Sequence, residues 1–272
     1  MSPSHPLPDA STAAEGPAVL VSASLHRSGS TLVQRYLTAS TDVFMWGETG
    51  RLVQGFREAW DSWPSEDHDL RNHHQVMADP SVVEGAFMPN LAPPPARLAE
   101  GLRASFMRIY GELPKGFRRW GWKDVGYGCR EIELVRTLFP DLLLVLLVRN
   151  PWDVARSIRR KGWIDRRGYY QDVAEVARLW AERSRHYRRL AAGDDAHVRL
   201  LQYEHLDGNL VDVAKELGAE ERHAKSVWSR ISGRTLGAAP ALSRFRLTRE
   251  DVDTIEGIAG EEAANFGYGT PS

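Results

Sequence analysis

The sequence contains only one cysteine, Cys129, among its 272 residues. A single cysteine excludes an intrachain disulfide framework, so a reducing compartment such as the cytoplasm is expected. Excess charge of either sign is also lacking, because 35 basic and 36 acidic residues give a formal net charge of −1. This balance provides no bulk attraction to nucleic acid or to an anionic membrane, and we expect neither as a partner.

Long apolar runs are lacking as well. The longest, residues 142–148, is far too short to span a bilayer. Residues 1–17 are rich in proline, serine and alanine but lack the apolar centre of a signal peptide, so they are predicted to form a disordered leader. Since no internal repeat is present and the length suits one large domain, we predict a single α/β domain over residues 18–272.

Three predicted strands each lead into a predicted helix. The strands cover residues 18–24, 141–148 and 197–203, and their helices begin near residues 30, 151 and 210, the last ending at Gly218. Alternating strands and helices predict a central parallel sheet flanked by helices. A further arginine-rich helix is predicted over residues 165–190, whereas residues 55–120 are interrupted by prolines and predict an irregular helical insertion on the substrate side.

The turn after the first strand reads Leu25-His26-Arg27-Ser28-Gly29-Ser30-Thr31. A glycine turn that opens a helix presents unpaired backbone N–H groups and a partial positive charge, which together bind phosphate or sulfate. Anion binding is further favoured by the hydroxyls of Ser28, Ser30 and Thr31 and by the charge of Arg27. No lysine follows Gly29, so the Walker A pattern fails, and an ordinary strand–helix turn remains the alternative.

A second candidate site lies at the end of the second predicted strand. Arg149 stands at the carboxyl edge of the sheet, where α/β folds bind ligands, and Ser157 lies about two turns into the next helix. A guanidinium and a hydroxyl could together bind one terminal phosphate. The alternative is a strand-end arginine that pairs with a nearby carboxylate.

Taken together, the two elements resemble the sulfotransferases that use 3′-phosphoadenosine-5′-phosphosulfate (PAPS), and in motif style the carbohydrate and tyrosylprotein branches. Residues 27–32 resemble the family's R-S-G-[ST]-T-L loop and residues 149–157 its R-[DN]-P-x-D-V-x-x-S pattern. Shorter matches follow at Phe139-Pro140-Asp141, Leu201 to Leu206 and Phe266-Gly267-Tyr268. The resemblance covers about residues 18–269 and implies a P-loop-like domain without the Walker lysine.

The resemblance also implies nucleotide contacts. It assigns the 5′-phosphosulfate to the loop of residues 27–31 and the 3′-phosphate to Arg149 and Ser157. It further implies contacts from Tyr203, in the third strand's motif, and from Arg234, in the C-terminal region where the family often has a basic residue.

Two further residues match the family's catalytic positions. Glu48, in Trp46-Gly47-Glu48-Thr49, matches the first glutamate of a G-E-E-T-R stretch that supplies the general base. Lys123 matches the lysine of W-K-[DET]-P, which contacts the transferring sulfonate, and Arg27 assists it. Val125 replaces the usual proline, and it cannot serve as the histidine base of the cytosolic branch. A solvated loop carboxylate and a surface lysine are the alternatives.

The resemblance therefore implies transfer of a sulfonate from PAPS to an acceptor hydroxyl, and no metal is expected. The acceptor could be a glycan, a phenol, a peptide tyrosine or another small molecule, bound by the insertion and residues 158–170. A nucleotide-dependent kinase of the P-loop fold and a non-catalytic nucleotide-binding protein are the competing hypotheses. His26 is predicted to have a neutral structural role.

Overall fold

The structure is a computed structural model that describes residues 16–63, 76–79, 81, 92–164, 168–237 and 246–270, without the side chains of residues 233–237. The predicted leader, except for its last two residues, lies outside these residues. So do residues 64–75, 80 and 82–91 of the predicted insertion. None of the helices in the described part combines the length and the apolar content needed to cross a membrane.

A five-stranded parallel sheet forms the centre of the protein. Its strands are β1 (Pro17–Ala23), β2 (Val43–Trp46), β3 (Arg119–Val125), β4 (Leu143–Val148) and β5 (Val198–Gln202). They are arranged in the order β2-β3-β1-β4-β5, and every neighbouring pair is parallel. The predicted central parallel sheet flanked by helices is therefore confirmed.

Helices cover both faces of this sheet. They are α1 (Ser30–Ser40), α2 (Leu52–Ser62), α3 (Pro95–Tyr110), α4 (Cys129–Leu138), α5 (Pro151–Arg160), α6 (Val173–Ala191), α7 (Leu206–Glu216), α8 (Glu221–Gly237) and α9 (Arg249–Asn265). Buried side chains of α1, α7 and α8 form the core on one face. Those of α3, α4, α5, α6 and α9 form the core on the other. The result is a three-layer α/β arrangement.

Strands β2 and β3 were not predicted from the sequence. Strand β2 has only four residues, and β3 (RWGWKDV) carries charges and a glycine, so neither shows a clear apolar run. Gly121 is needed in β3 because a β-carbon there would lie 2.3 Å from the carbonyl oxygen of Val19 in β1. The close approach of neighbouring strands, which is a tertiary contact, explains this glycine. Strand β3 also begins just inside the predicted end of the insertion.

The predicted helix over residues 165–190 is wrong at its start. Helix α6 begins at Val173, because Asp172 caps it by accepting a hydrogen bond from the backbone N–H of Glu175 (2.7 Å). Residues 168–171, which precede this cap, are not helical and include a bridge between Tyr170 and Ile164, and residues 165–167 lie outside the described part. Smaller shifts affect β5, which ends at Gln202, and α7, which begins at Leu206.

Helix α5 begins at residue 151, as predicted, and Asn150 caps it. The side chain of Asn150 accepts hydrogen bonds from the backbone N–H groups of Trp152 (3.1 Å) and Asp153 (3.3 Å), and Pro151 occupies the first helical position. The chain therefore passes directly from the end of β4 into α5. This fixes the distance between the residue that follows the strand and those one or two turns into the helix.

Candidate active site

Because the five strands are parallel, their carboxyl ends meet along one edge of the sheet. Every strand places a predicted site residue at or after this end. In spatial order these are Glu48 after β2, Lys123 near the end of β3, the loop after β1, Arg149 after β4 and Tyr203 after β5. Neighbouring strands lie about 5 Å apart, so the candidate site is an elongated row rather than a point.

The loop after β1 makes a sharp turn into α1. Arg27 (φ +70°) is the one non-glycine residue with a positive φ among the residues described, and Gly29 follows with φ +99°. Gly29 occupies the N-cap of α1, where no side chain caps the helix. The first N–H groups of α1 therefore have no side-chain acceptor, which is the property of an anion-binding helix N-terminus.

Gly29 lies directly beneath the ring of Tyr203. A β-carbon at residue 29 would lie 2.3 Å from the ring carbon Cδ2 of Tyr203, well inside van der Waals contact. Two independent reasons thus require glycine here: the positive φ and the aromatic ring. The contact also joins the loop after β1 to the end of β5.

We expect Gly29→Ala to lower the free energy of unfolding by roughly 2–5 kcal/mol, from a left-handed backbone cost of about 1–2 kcal/mol plus overpacking against Tyr203. Gly116→Ala is the matched control, because Gly116 has the same φ of +99° and open space around its α-carbon. Gly116→Ala should lower the free energy of unfolding only by the backbone cost of about 1–2 kcal/mol. Urea denaturation of both variants measures the difference. Equal losses in the two variants would show that the Tyr203 contact costs nothing.

Arg27 and Arg149 connect the two sequence motifs. The Nε of Arg27 donates a hydrogen bond to the Oγ of Ser157 (3.1 Å), and a guanidinium N–H of Arg149 donates to the backbone carbonyl of Arg27 (3.0 Å). The guanidinium of Arg149 also stacks over Tyr203, 4.1 Å from the ring centroid. The structure therefore brings together four predicted residues that are far apart in the sequence.

The local charge near Arg27 is strongly positive. Burial lowers the pKa of Arg27, and the nearby positive charges of Arg160 and Arg149 lower it further. Within the described part, no carboxylate forms an ion pair with Arg27 or Arg149, so the predicted alternative of a carboxylate-paired Arg149 is not found. Guanidinium groups gathered in this way favour an anion between them.

Residues not predicted as site residues hold Arg149 and Asn150 in place. The indole N–H of Trp180 donates to the carbonyl of Arg149 (2.8 Å). Glu204 accepts hydrogen bonds from the backbone N–H of Asn150 (3.0 Å) and from the hydroxyl of Tyr268 (2.7 Å). The matched motifs around Tyr203 and Tyr268 therefore meet at the turn between β4 and α5. The motif matches in the sequence indicated these two segments, but the contacts of Glu204 with Asn150 and Tyr268 depend on the fold.

Glu48 and Lys123 form an ion pair at the other side of the loop. Lys123 is a buried residue, so the alternative of a surface lysine is wrong, whereas the Glu48 side chain is 42% exposed. An ammonium and a carboxylate in contact beside the loop can serve charge stabilisation and proton transfer. The pair faces solvent on the Glu48 side, where an acceptor could enter.

Asp124 fixes the segment that carries Glu48. Its buried carboxylate accepts hydrogen bonds from the backbone N–H (3.1 Å) and the hydroxyl (3.0 Å) of Thr49. The Thr49 hydroxyl also contacts that of Tyr127 (2.6 Å). Burial raises the pKa of Asp124, and the hydrogen bonds from Thr49 oppose this shift. Asp124 follows Lys123 in the W-K-[DET]-P match and Thr49 follows Glu48 in its matched stretch, but neither was predicted as a site residue.

His26, in the loop after β1, packs against the rings of Trp163, Tyr169 and Tyr170. Its Nδ1 is 2.7 Å from the hydroxyl of Tyr170. Burial lowers the pKa of His26 below its ordinary value of 6.5; the charge of Glu48 opposes this, and that of Lys123 adds to it. The imidazole is therefore neutral near pH 7, in line with the prediction for this residue.

The remaining predicted residues lie in the loop or outside the described side chains. Ser28 and Ser30 are buried, and Thr31 is exposed at the start of α1. Arg234 lies on helix α8, but its side chain is outside the part of the chain that the structure describes, so its predicted nucleotide contact stays a prediction.

Two buried polar atoms fit an anionic ligand. The Oγ of Ser28 and the Nε of Arg149 are buried and have no hydrogen-bond partner in the described part of the chain. Buried donors without partners are costly, and a ligand that accepts hydrogen bonds removes the cost. The loop and the Arg149 region thus both fit phosphate or sulfonate groups.

The sequence matches the model of a sulfotransferase family over residues 20–219. No curated protein matches the chain at the level of sequence. Among solved structures, the fold is similar to that of the sulfotransferase domain from the curacin biosynthetic pathway. That domain is 16% identical (TM-score 0.51), and the alignment covers 94% of this chain and 99% of that one.

Two further structures share the fold. The sulfotransferase domain of the Synechococcus PCC 7002 olefin synthase is 18% identical, with 100% of this chain and 99% of that chain covered (TM-score 0.50). Sulfotransferase STF9 from Mycobacterium avium is 15% identical, with 94% and 78% covered (TM-score 0.50). At these identities the likeness concerns the fold.

Proposed function

The chain belongs to the sulfotransferase family, and on this premise we propose that it transfers a sulfonate group from PAPS to an acceptor hydroxyl. The observation that carries the proposal is the row of groups along the carboxyl edge of the sheet. An anion-binding loop lies at its centre, Arg149 and Ser157 lie on one side, and the Glu48–Lys123 pair lies on the other.

In this proposal the nucleotide occupies the part of the row from the loop to β5. The N–H groups at the start of α1 and the hydroxyls of Ser28, Ser30 and Thr31 bind the 5′-phosphosulfate. Arg149 and Ser157 bind the 3′-phosphate. The unpartnered Ser28 Oγ and Arg149 Nε support this division, because each lies in one of the two proposed phosphate sites.

Bound PAPS supplies the sulfonate and leaves as 3′,5′-ADP. In the proposed step, Glu48 accepts the proton of the acceptor hydroxyl as its oxygen bonds to sulfur and the bond from sulfur to the bridging phosphate oxygen breaks. Lys123 and Arg27 stabilise the negative charge that develops on the bridging and sulfonate oxygens. Asp124, through Thr49, holds the segment on which Glu48 lies.

We expect calorimetric titration to show that 3′,5′-ADP binds at least about 10-fold more tightly than ADP or ATP, since a charge-assisted hydrogen bond to the 3′-phosphate contributes about 1.5–3 kcal/mol. AMP, which lacks the 3′-phosphate, is the matched control ligand. A preference for ATP over 3′,5′-ADP would contradict the proposal and favour the nucleotide-dependent kinase.

A further inference from the structure

Four side chains near the Glu48–Lys123 pair form what we call the aromatic cluster: His26, Trp163, Tyr169 and Tyr170. The His26 ring lies 5.6 Å from that of Trp163, 5.2 Å from that of Tyr169 and 5.9 Å from that of Tyr170, measured between centroids. Trp163 and Tyr169 also meet edge to face at 5.1 Å. These are the separations of favourable aromatic pairs.

The aromatic cluster borders the proposed reaction site. His26 precedes Arg27 in the loop, and the Arg27 guanidinium lies 6.0 Å from the ring centroid of Trp163. The charge of Glu48 acts on both His26 and Tyr170: burial raises the pKa of Tyr170 to about 12, and Glu48 adds to the rise. A ligand against this cluster would therefore lie next to the groups proposed for transfer.

One face of the aromatic cluster is open to solvent. Tyr170 is buried and held by His26, but Tyr169, the next residue, is 68% exposed. Few large apolar side chains are this exposed in the described part of the chain. An exposed ring that also packs against Trp163 and His26 offers a preformed surface for a second planar ring.

We propose that the aromatic cluster is the acceptor site and that the acceptor is a phenol, whose ring packs against Tyr169 and Trp163 with its hydroxyl directed to Glu48. This inference rests on the proposed function. It assigns a substrate class to the acceptor end of the same site.

The chemistry of the site favours a phenol over a sugar. A sugar carries several hydroxyls, and each needs a hydrogen-bond partner when it leaves water. Two polar atoms of the aromatic cluster, the His26 Nδ1 and the Tyr170 hydroxyl, already bind each other. A phenol presents one hydroxyl and a ring face, which this surface can match.

The proposed base also favours a phenol over an aliphatic alcohol. A carboxylate is a weak base, and the ordinary pKa of a phenol, about 10, is far below that of an alkanol, so its proton is easier to transfer. In the step, the phenol oxygen bonds to sulfur and its proton passes to Glu48. The bond from sulfur to the bridging oxygen breaks, and its electron pair leaves with 3′,5′-ADP.

Two hydroxyl compounds with the same carbon skeleton, the phenol 4-methylphenol and the aliphatic alcohol 4-methylcyclohexanol, test this inference. Transfer from PAPS should give a kcat/KM at least about 100-fold higher for the phenol, as expected for Brønsted behaviour with a weak base. Tyr169→Ala should raise the KM for 4-methylphenol by roughly 3- to 10-fold, because aromatic pairs contribute about 0.5–1.5 kcal/mol. Tyr169→Phe, which keeps the ring, should recover most of that loss.

Ile258→Ala, at an exposed apolar residue of α9, is the control and should leave both constants unchanged. The dissociation constant of 3′,5′-ADP, measured for every variant, separates two kinds of failure. If 3′,5′-ADP binds and 4-methylcyclohexanol is used as well as the phenol, or neither is used, or Tyr169→Ala leaves the KM unchanged, the acceptor inference is wrong. If neither 3′,5′-ADP binding nor transfer from PAPS is found, the proposed function itself fails.

Discussion

Glu48→Gln is expected to lower kcat for sulfonate transfer by roughly 10²–10⁴-fold, the usual contribution of a general base, with no change in the dissociation constant of 3′,5′-ADP. Glutamine keeps the size of the side chain but cannot accept the acceptor proton. Two strands, β3 and β1, lie between β2, which leads to Glu48, and β4, which leads to Arg149, so the nucleotide contacts stay intact. Initial rates with saturating PAPS and calorimetric titration of 3′,5′-ADP measure the two quantities.

Glu58→Gln is the matched control for this substitution. Glu58 lies on α2, and its side chain is 61% exposed, so its loss should change neither rate nor affinity. A Glu48→Gln enzyme with wild-type kcat would place the general base elsewhere. A loss of 3′,5′-ADP affinity equal to the loss of rate would instead assign Glu48 to nucleotide binding.

Arg149→Ala is expected to weaken 3′,5′-ADP by roughly 10- to 150-fold, which corresponds to about 1.5–3 kcal/mol for a charge-assisted contact. The affinity for AMP should fall much less, since AMP has no 3′-phosphate. The comparison matters because Arg149 also donates a hydrogen bond to the carbonyl of Arg27. A disturbed loop would weaken both nucleotides to a similar extent.

Arg199→Ala is the control for Arg149. Arg199 lies near the start of β5, at the opposite edge of the sheet, where its guanidinium pairs with Glu216 (2.9 Å). Arg199→Ala should change the affinity for neither nucleotide. If Arg149→Ala weakens the binding of AMP and 3′,5′-ADP equally, Arg149 does not bind the 3′-phosphate and has a purely structural role.

The sequence was sufficient for the central fold because β1, β4 and β5 are each followed by a helix. Strand β4 is also entirely buried, which produces the continuous apolar run that was recognised. Strands β2 and β3 were not predicted, because β2 is very short and β3 contains Gly121, whose role depends on the nearby β1 backbone. A local sequence pattern cannot show that Gly121 is required, because the requirement comes from a strand that is distant in the sequence.

In the candidate site, too, residues in local motifs were predicted from the sequence, and tertiary contacts were not. The loop, Arg149 and Ser157 stood out in the sequence because their motifs are local, and the structure brings them into contact. The support from Asp124 to Thr49 links residues 75 positions apart. The packing of His26 against Tyr170 links residues 144 positions apart. Such pairs follow from the order of strands in the sheet, which one sequence does not reveal.

The most direct test of the central claim is sulfonate transfer itself. The enzyme is incubated with ³⁵S-labelled PAPS and 4-methylphenol, with γ-³²P-labelled ATP in a parallel reaction, and labelled product is separated from the nucleotide. We expect ³⁵S in the acceptor for the wild type, a strongly reduced rate for Glu48→Gln and no ³²P transfer. Transfer of ³²P from ATP, with no ³⁵S transfer from PAPS to any hydroxyl acceptor, would contradict the account.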